Sequence, residues 1–210
     1  MKIQTLIIVL LALGLVFVSY KWATASATSD KEENTESNVA LENIMTRTSV
    51  RSYTADTISS NDIETLLKAA MAAPTAGNKQ PWRYVVVQNR ATLDSIGANF
   101  GSMKMATLAP LAILVCGDVD ATFPGDGRDY WIEDTSAAME NLLLAAHSIC
   151  LGAVWCGIYP MPDRVAAFSE MFSLPENIKP MGIAMIGHPD GFHTPKDKWN
   201  PDYVKYESWK

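Results

Sequence analysis

The chain has 210 residues and a formal net charge of −6, a balance that argues against a nucleic-acid partner, because binding to a phosphate backbone shows as a basic surface. Its cysteines, Cys116, Cys150 and Cys156, are odd in number and each lies in an apolar run. They read as small buried core residues rather than a disulfide framework, with a Cys150–Cys156 pair left open. His147, His188 and His193 are scattered without a Cys or carboxylate cluster, so no metal-ligand spacing is present.

The first segment is an apolar run from Leu6 to Val18, broken only by Gly14 and preceded by Lys2. With the small residues Ala23, Ala25 and Ala27 behind it, the pattern predicts a signal peptide over 1–27, cleaved after Ala25 or Ala27. Read instead as an uncleaved anchor, residues 3–20 have the length needed to cross a bilayer and to tether the chain to a membrane. Either reading puts the protein outside the cytoplasm or on a membrane. Residues 28–37 are polar and charged, with almost nothing to bury, and read as a flexible linker. What remains, 38–210, is the size of one domain with a substantial core.

Within that domain Leu41, Ile44 and Met45 share a helical face over 38–46. A second helix is expected from Asn61, which with Glu64 resembles a capping box; Ile63, Leu66, Leu67, Ala70 and Met71 form its apolar stripe and Pro74 closes it. The loop Pro74–Trp82 carries Gly77, Asn78 and Gln80, suited to bonding planar polar edges at close backbone approach. A buried strand over Arg83–Val87, a helix over Ala91–Asn99 and a second buried strand over Leu111–Cys116 follow. The loop Gly117–Arg128 reads as the edge of a pocket or as an ordinary solvated turn. The longest helix is expected over Tyr130–Ile149, apolar around most of its circumference and suited to the core or to a partner subunit. Strands over Gly152–Trp155 and Met181–Ile186 flank a helix started by Pro162. Strands and helices mix without a parallel repeat, which predicts an α+β fold. No G-x-G-x-x-G follows the first strand, which removes a Rossmann reading.

The stretch Arg47-Thr-Ser-Val-Arg-Ser-Tyr53 places two guanidinium groups and several hydroxyls where the first helix gives way to a loop. Extended backbone sends Arg47, Ser49 and Arg51 to one side, where two Arg forks and a hydroxyl can meet a phosphate-sized anion. The plainer alternative for this stretch in isolation is an exposed basic turn.

Taken in order, Arg-Thr-Ser-Val-Arg (47–51), Pro-Thr-Ala-Gly-Asn-Lys-Gln-Pro-Trp (74–82), Glu-Asn-Leu-Leu-Leu-Ala-Ala (140–146), Gly-Ala-Val-Trp-Cys-Gly (152–157), Gly-His-Pro (187–189) and Pro-Lys-Asp-Lys-Trp (195–199) resemble the short members of the nitroreductase family. The resemblance implies a three-layer sandwich with a mixed, mainly antiparallel sheet flanked by helices. It also implies a homodimer with FMN at the interface. By the same resemblance Arg47 and Ser49 contact the flavin phosphate and ring edge, and Arg51 the pyrimidine side. Asn78 and Gln80 lie beside the isoalloxazine and ribityl groups. Lys196 and Lys198 form a basic pair on the phosphate, with Lys198 a point charge where the family more often has Arg. Thr48 stands where a larger basic residue is common. Backbone N–H groups of Trp155, Cys156 and Gly157 face N5 and O4 of the flavin, and no side-chain acid or base is required. The activity implied is transfer of a hydride from NADH or NADPH to the flavin and then to a nitroaromatic, quinone or similar acceptor, by a ping-pong mechanism. The alternatives on the same scaffold are oxygen-dependent dehydrogenation, dehalogenation, or flavin binding without turnover. Glu140 and His147 read as structural polar groups of the long helix.

Overall fold

The computed structural model describes residues 16, 19–21 and 38–209. The expected signal or anchor over 1–27 and the linker over 28–37 therefore lie outside the described residues, apart from the four positions named. The chain divides into two units, Met1–Met45 and Thr46–Lys210. In the first, residues 38–45 are helical as the spacing predicts, but the side chains of Leu41, Ile44 and Met45 are exposed.

The second unit is built on one four-stranded antiparallel sheet of β1 (Trp82–Val87), β2 (Leu111–Asp118), β3 (Gly152–Gly157) and β4 (Ile178–Gly187), in the order β1-β2-β4-β3. The central β2 is buried on both faces, which is why it reads as an unbroken apolar run. Its alternation divides the core in two. Leu111, Ile113 and Val115 point to the side covered by α1 (Ser60–Met71) and α3 (Tyr130–Ser148), against Leu66, Trp131, Met139 and Leu142. Ala112, Leu114 and Cys116 point to the side covered by α2 (Arg90–Asn99), the turn Gly101–Thr107 and α4 (Pro162–Met171), against Leu93, Ile96, Met103 and Phe168. Helices, sheet and helices make three layers, and the α+β expectation holds. Each fully buried Leu, Ile or Phe contributes about 1.5–3 kcal/mol relative to its exposed state.

Several boundaries differ from the sequence reading, β2 and β3 each running two residues further, to Asp118 and Gly157, and two of the differences have a specific physical reason. The N-cap of α1 is Ser59, not Asn61: Ser59 Oγ accepts the Asp62 N–H at 3.1 Å and donates to Asp62 Oδ2 at 2.7 Å, closing a reciprocal cap. Strand β4 starts at Ile178, ahead of the expected Met181, because the register against β2 shifts between Val115 and Cys116. That bulge accommodates Pro180, which lacks the N–H a regular ladder needs. Pro162 does start α4.

At the end of β2 the Asp118 carboxyl is pushed up by burial, but bonds from Asn177 Nδ2 (2.9 Å), the Asp120 N–H (3.1 Å) and Arg83 Nη2 (2.8 Å) outweigh this and hold it below its usual value. A carboxyl depressed in the folded state stabilises fully above its unfolded pKa and loses that contribution as pH falls through the folded one. Asp118→Asn is therefore expected to flatten the acid side of a melting-temperature profile below about pH 4 and to leave the neutral-to-alkaline shape unchanged. An unaltered acid limb would refute it.

Candidate functional site

After residue 46 the chain turns extended and lies along β3. Ser49 pairs with Ala153 in a parallel bridge, and the Val50 N–H donates to the Ala153 carbonyl at 3.0 Å. Gly152 makes this possible, since a Cβ there would meet the Val50 side chain at 2.6 Å. Tyr53 Oη donates to the carbonyls of Val50 (2.6 Å) and Met185 (3.0 Å), and its burial pushes the phenol well above its ordinary range, so it remains a donor at every working pH. With Val50 buried inward, alternation presents its neighbours Ser49 and Arg51 outward, and the regular alternation ends before Tyr53, which is buried again.

Arg47, Ser49 and Arg51, with Thr48, Lys196 and Lys198, line a cavity of about 220 Å³. Four cations and two hydroxyls face one space and none of the lining residues is acidic, which is the chemistry of a site for a multiply charged anion. Arg47 is held by Glu140 on α3, Nε to Oε1 at 3.2 Å. Glu140 is thus more than a generic helix polar group: it orients the first cation of the motif, a pairing that no sequence spacing reveals. His147 Nε2 lies 2.9 Å from Thr46 Oγ1, a structural contact.

The loop between α1 and β1 forms a tight turn with left-handed backbone at Gly77, Asn78 and Gln80. Gln80 Nε2 donates to Asn78 Oδ1 at 3.0 Å, and the Gln80 N–H donates to Thr75 Oγ1 at 3.1 Å. Both amides are exposed, and neither lines the cationic cavity. Within one chain the structure does not bring Asn78 and Gln80 to Arg47.

On β3, Trp155 is about one-third exposed and its indole lies over Gly182, where an added Cβ would come within 2.4 Å of Nε1. Cys156 is buried, and burial pushes its thiol up to about 11 against the pull of Arg51 and Arg164. It is protonated near neutral pH and offers backbone groups rather than a thiolate. Gly157 is exposed, with open space where a Cβ would stand, and its carbonyl accepts from Arg164 Nη1 at 2.8 Å. Arg164 escaped the sequence reading, because an Arg on the first turn of α4 carries no signal of which carbonyl it reaches. The Cys150–Cys156 pair is not formed: all three cysteines are free, Cys150 exposed and the others buried. Residues Val119, Asp120, Arg128 and Asp129 of the 117–128 region and its flank line an open cavity of about 610 Å³ with Trp131, Tyr159 and Lys179, so this loop is a pocket edge.

The sequence matches the model of the nitroreductase family over residues 44–105 and 97–188. The chain belongs to the nitroreductase family. Members similar to it include an Archaeoglobus fulgidus protein named as an NADH dehydrogenase/NAD(P)H nitroreductase, 42% identical over 173 residues that cover 80% of this chain and 98% of the relative. A Methanothermobacter thermautotrophicus protein of the same name is 39% identical over 170 residues, covering 80% and 87%. Among solved structures, a Bacteroides thetaiotaomicron protein, again of that name, superposes with a TM-score of 0.76 at 41% identity, covering 81% of this chain and 98% of the other. A Desulfovibrio desulfuricans nitroreductase solved in complex with FMN superposes at 0.72 and 26% identity, covering 82% and 98%.

Family membership corrects the expected location. The reading as an exported or membrane-anchored protein does not stand: the two archaeal relatives, matched over most of their own length, carry the names of NAD(P)H nitroreductases. Among the described residues no helix is long and apolar enough to cross a membrane. That reading rested on the local pattern of residues 1–27, an apolar run between Lys2 and small residues, and this segment lies outside the described residues apart from Val16, Ser19, Tyr20 and Lys21.

Proposed function

We propose that this chain is an FMN-dependent oxidoreductase that takes a hydride from NADH or NADPH and passes electrons, in two separate half-reactions, to a nitroaromatic, quinone or similar small acceptor. The observation that carries the reading is the convergence of Arg47, Thr48, Ser49, Arg51, Lys196 and Lys198 on one cavity. This donor set fits a phosphate dianion, and the open backbone face at Gly157 leaves room for a flat ring system. The FMN complex of the Desulfovibrio relative supports the same assignment.

When bound, FMN supplies the hydride-accepting and hydride-donating chemistry. The protein's own residues bind, orient and polarise. Arg47, Ser49, Lys196 and Lys198 hold the phosphate, with Thr48 closing the cavity between them, and Arg51 adds positive charge at the pyrimidine side. Backbone N–H groups along Trp155–Gly157 are fixed donors for electron density that grows on reduction. Asn78 and Gln80, which do not line the cationic cavity within one chain, complete the site from a second copy in a homodimer. The exposed face of Leu41, Ile44 and Met45 suits such an assembly.

The test is the visible spectrum of the purified chain reconstituted with FMN and treated anaerobically with NADH or NADPH. Flavin bands should bleach and return on adding a nitroaromatic or quinone. Bands that persist unbleached would point to flavin binding without nicotinamide turnover, and no bands at all would sink the reading.

A further inference from the structure

Asp134, in the first half of α3, is 4% exposed. Its Oδ1 accepts the Ala76 N–H at 2.8 Å, while Oδ2 is equally enclosed and has no hydrogen-bond partner. Burial pushes the carboxyl up, the Ala76 N–H pulls it down, and Glu133 adds to the upward shift. A half-satisfied buried carboxyl is costly to a fold, and its single bond goes to the turn that carries Asn78 and Gln80. The turn's other bonds are Asn78 N–H to the Thr75 carbonyl (3.0 Å), Lys79 N–H to the Ala76 carbonyl (3.2 Å), Gln80 N–H to Thr75 Oγ1 (3.1 Å), Gln80 Nε2 to Asn78 Oδ1 (3.0 Å) and, at its far end, Arg83 Nη1 to the Gln80 carbonyl (3.1 Å). Left-handed backbone at the non-glycine positions Asn78 and Gln80 opposes it, and among the described residues Asp134 supplies the one bond from α3 that reaches its start. Phe123 rests on its outer side, against Gly77 and beneath Lys79 Nζ, which stands 5.0 Å from the ring centroid.

We propose that Asp134 is a positioning residue for the cofactor: its buried carboxyl clamps the Ala76 N–H and so fixes the turn that presents Asn78 and Gln80. The cofactor arm of this inference rests on the function proposed above; the clamp itself does not.

A double-mutant cycle tests it from both partners. Asp134→Ala removes the acceptor. Ala76→Pro removes the donor at the first position of a helical turn, after a Thr75 whose φ of −136° and ψ of 152° suit a residue before proline. In the FMN-free full chain each substitution should speed amide hydrogen exchange of Asn78, Lys79 and Gln80 by about tenfold, the loss of one hydrogen bond to a carboxyl. Each should also weaken FMN binding about tenfold, and the double variant should lose no more than either alone. Asp134→Asn keeps a carbonyl oxygen for Ala76 and should restore both readouts to within roughly threefold. Unchanged exchange in either single variant, or additive losses in the double, would overturn the clamp. Faster exchange with unchanged FMN affinity would overturn the positioning role. A wild-type chain that takes up no FMN refutes the proposed function and the cofactor arm with it, and the exchange arm still decides the clamp. Should Asp134→Ala fail to fold, Ala76→Pro reads the same bond.

Discussion

Arg47→Ala combined with Lys196→Ala is expected to abolish FMN retention while leaving the unit Thr46–Lys210 folded. Both side chains line the cationic cavity, and hydrogen bonds to charged groups contribute about 1.5–3 kcal/mol each. Losing both should weaken flavin binding on the order of 10²–10⁴-fold. The structural cost is small by comparison. Lys196 is exposed, and the Arg47 partner Glu140 is 47% exposed, so its carboxylate is rehydrated when the guanidinium is gone. The pair itself, with one partner in solvent, stabilises by about 1 kcal/mol, and loss of the Arg47 stem, whose side chain is 15% exposed, adds a packing cost. Flavin fluorescence titration beside circular dichroism separates the two effects. A double variant that still purifies yellow would show that the phosphate lies elsewhere.

The second large effect is expected from Gly152→Ala, a change of a single uncharged methyl. At Gly152 an added Cβ would lie 2.6, 2.7 and 2.9 Å from three atoms of Val50, a branched side chain that is itself 5% exposed and has no room to withdraw. Overpacking of this kind costs about 1–3 kcal/mol. It would be relieved most readily by lifting residues 49–51 off β3, breaking the Val50 N–H bond to Ala153. Since Arg47, Ser49 and Arg51 ride on that segment, melting temperature and FMN affinity should fall together. Compensation by Val50→Gly, which removes all three contested atoms, should recover affinity more than stability, because the buried methyls are not replaced. A Gly152→Ala variant with native affinity would show that the motif is not held in place by this contact.

What distinguishes these two predictions is how much of each was visible in the residues. The cationic cluster was legible in part because its chemistry is local: Arg47, Ser49 and Arg51 are spaced two apart on one extended segment. That Lys196 and Lys198 close the same cavity came from resemblance, since about 145 residues of chain separate them from the motif and no spacing rule spans that distance. The strands were legible for a similar reason. β2 reads as buried because every residue from Leu111 to Gly117 is buried, whereas the start of β4 was lost behind Pro180, which is tolerated because the bulge in its own pairing with β2 removes the need for its N–H.

By itself, then, the sequence determined the order and type of most elements, the α+β class and the Arg47–Arg51 side of the cationic cavity, because periodicity, turn chemistry and alternation act between residues close in the chain. Only the tertiary structure decided which distant groups meet: Glu140 on Arg47, Arg164 on the Gly157 carbonyl, Gly152 beneath Val50, and Asp134 on the Ala76 N–H. These pairings depend on how helices settle on the two faces of the sheet, a cooperative result of packing many side chains to interior density. Asn78 and Gln80, which the resemblance places beside the ring and ribityl groups of a flavin, are not among the residues that line the cationic cavity, and no local spacing rule could have told that.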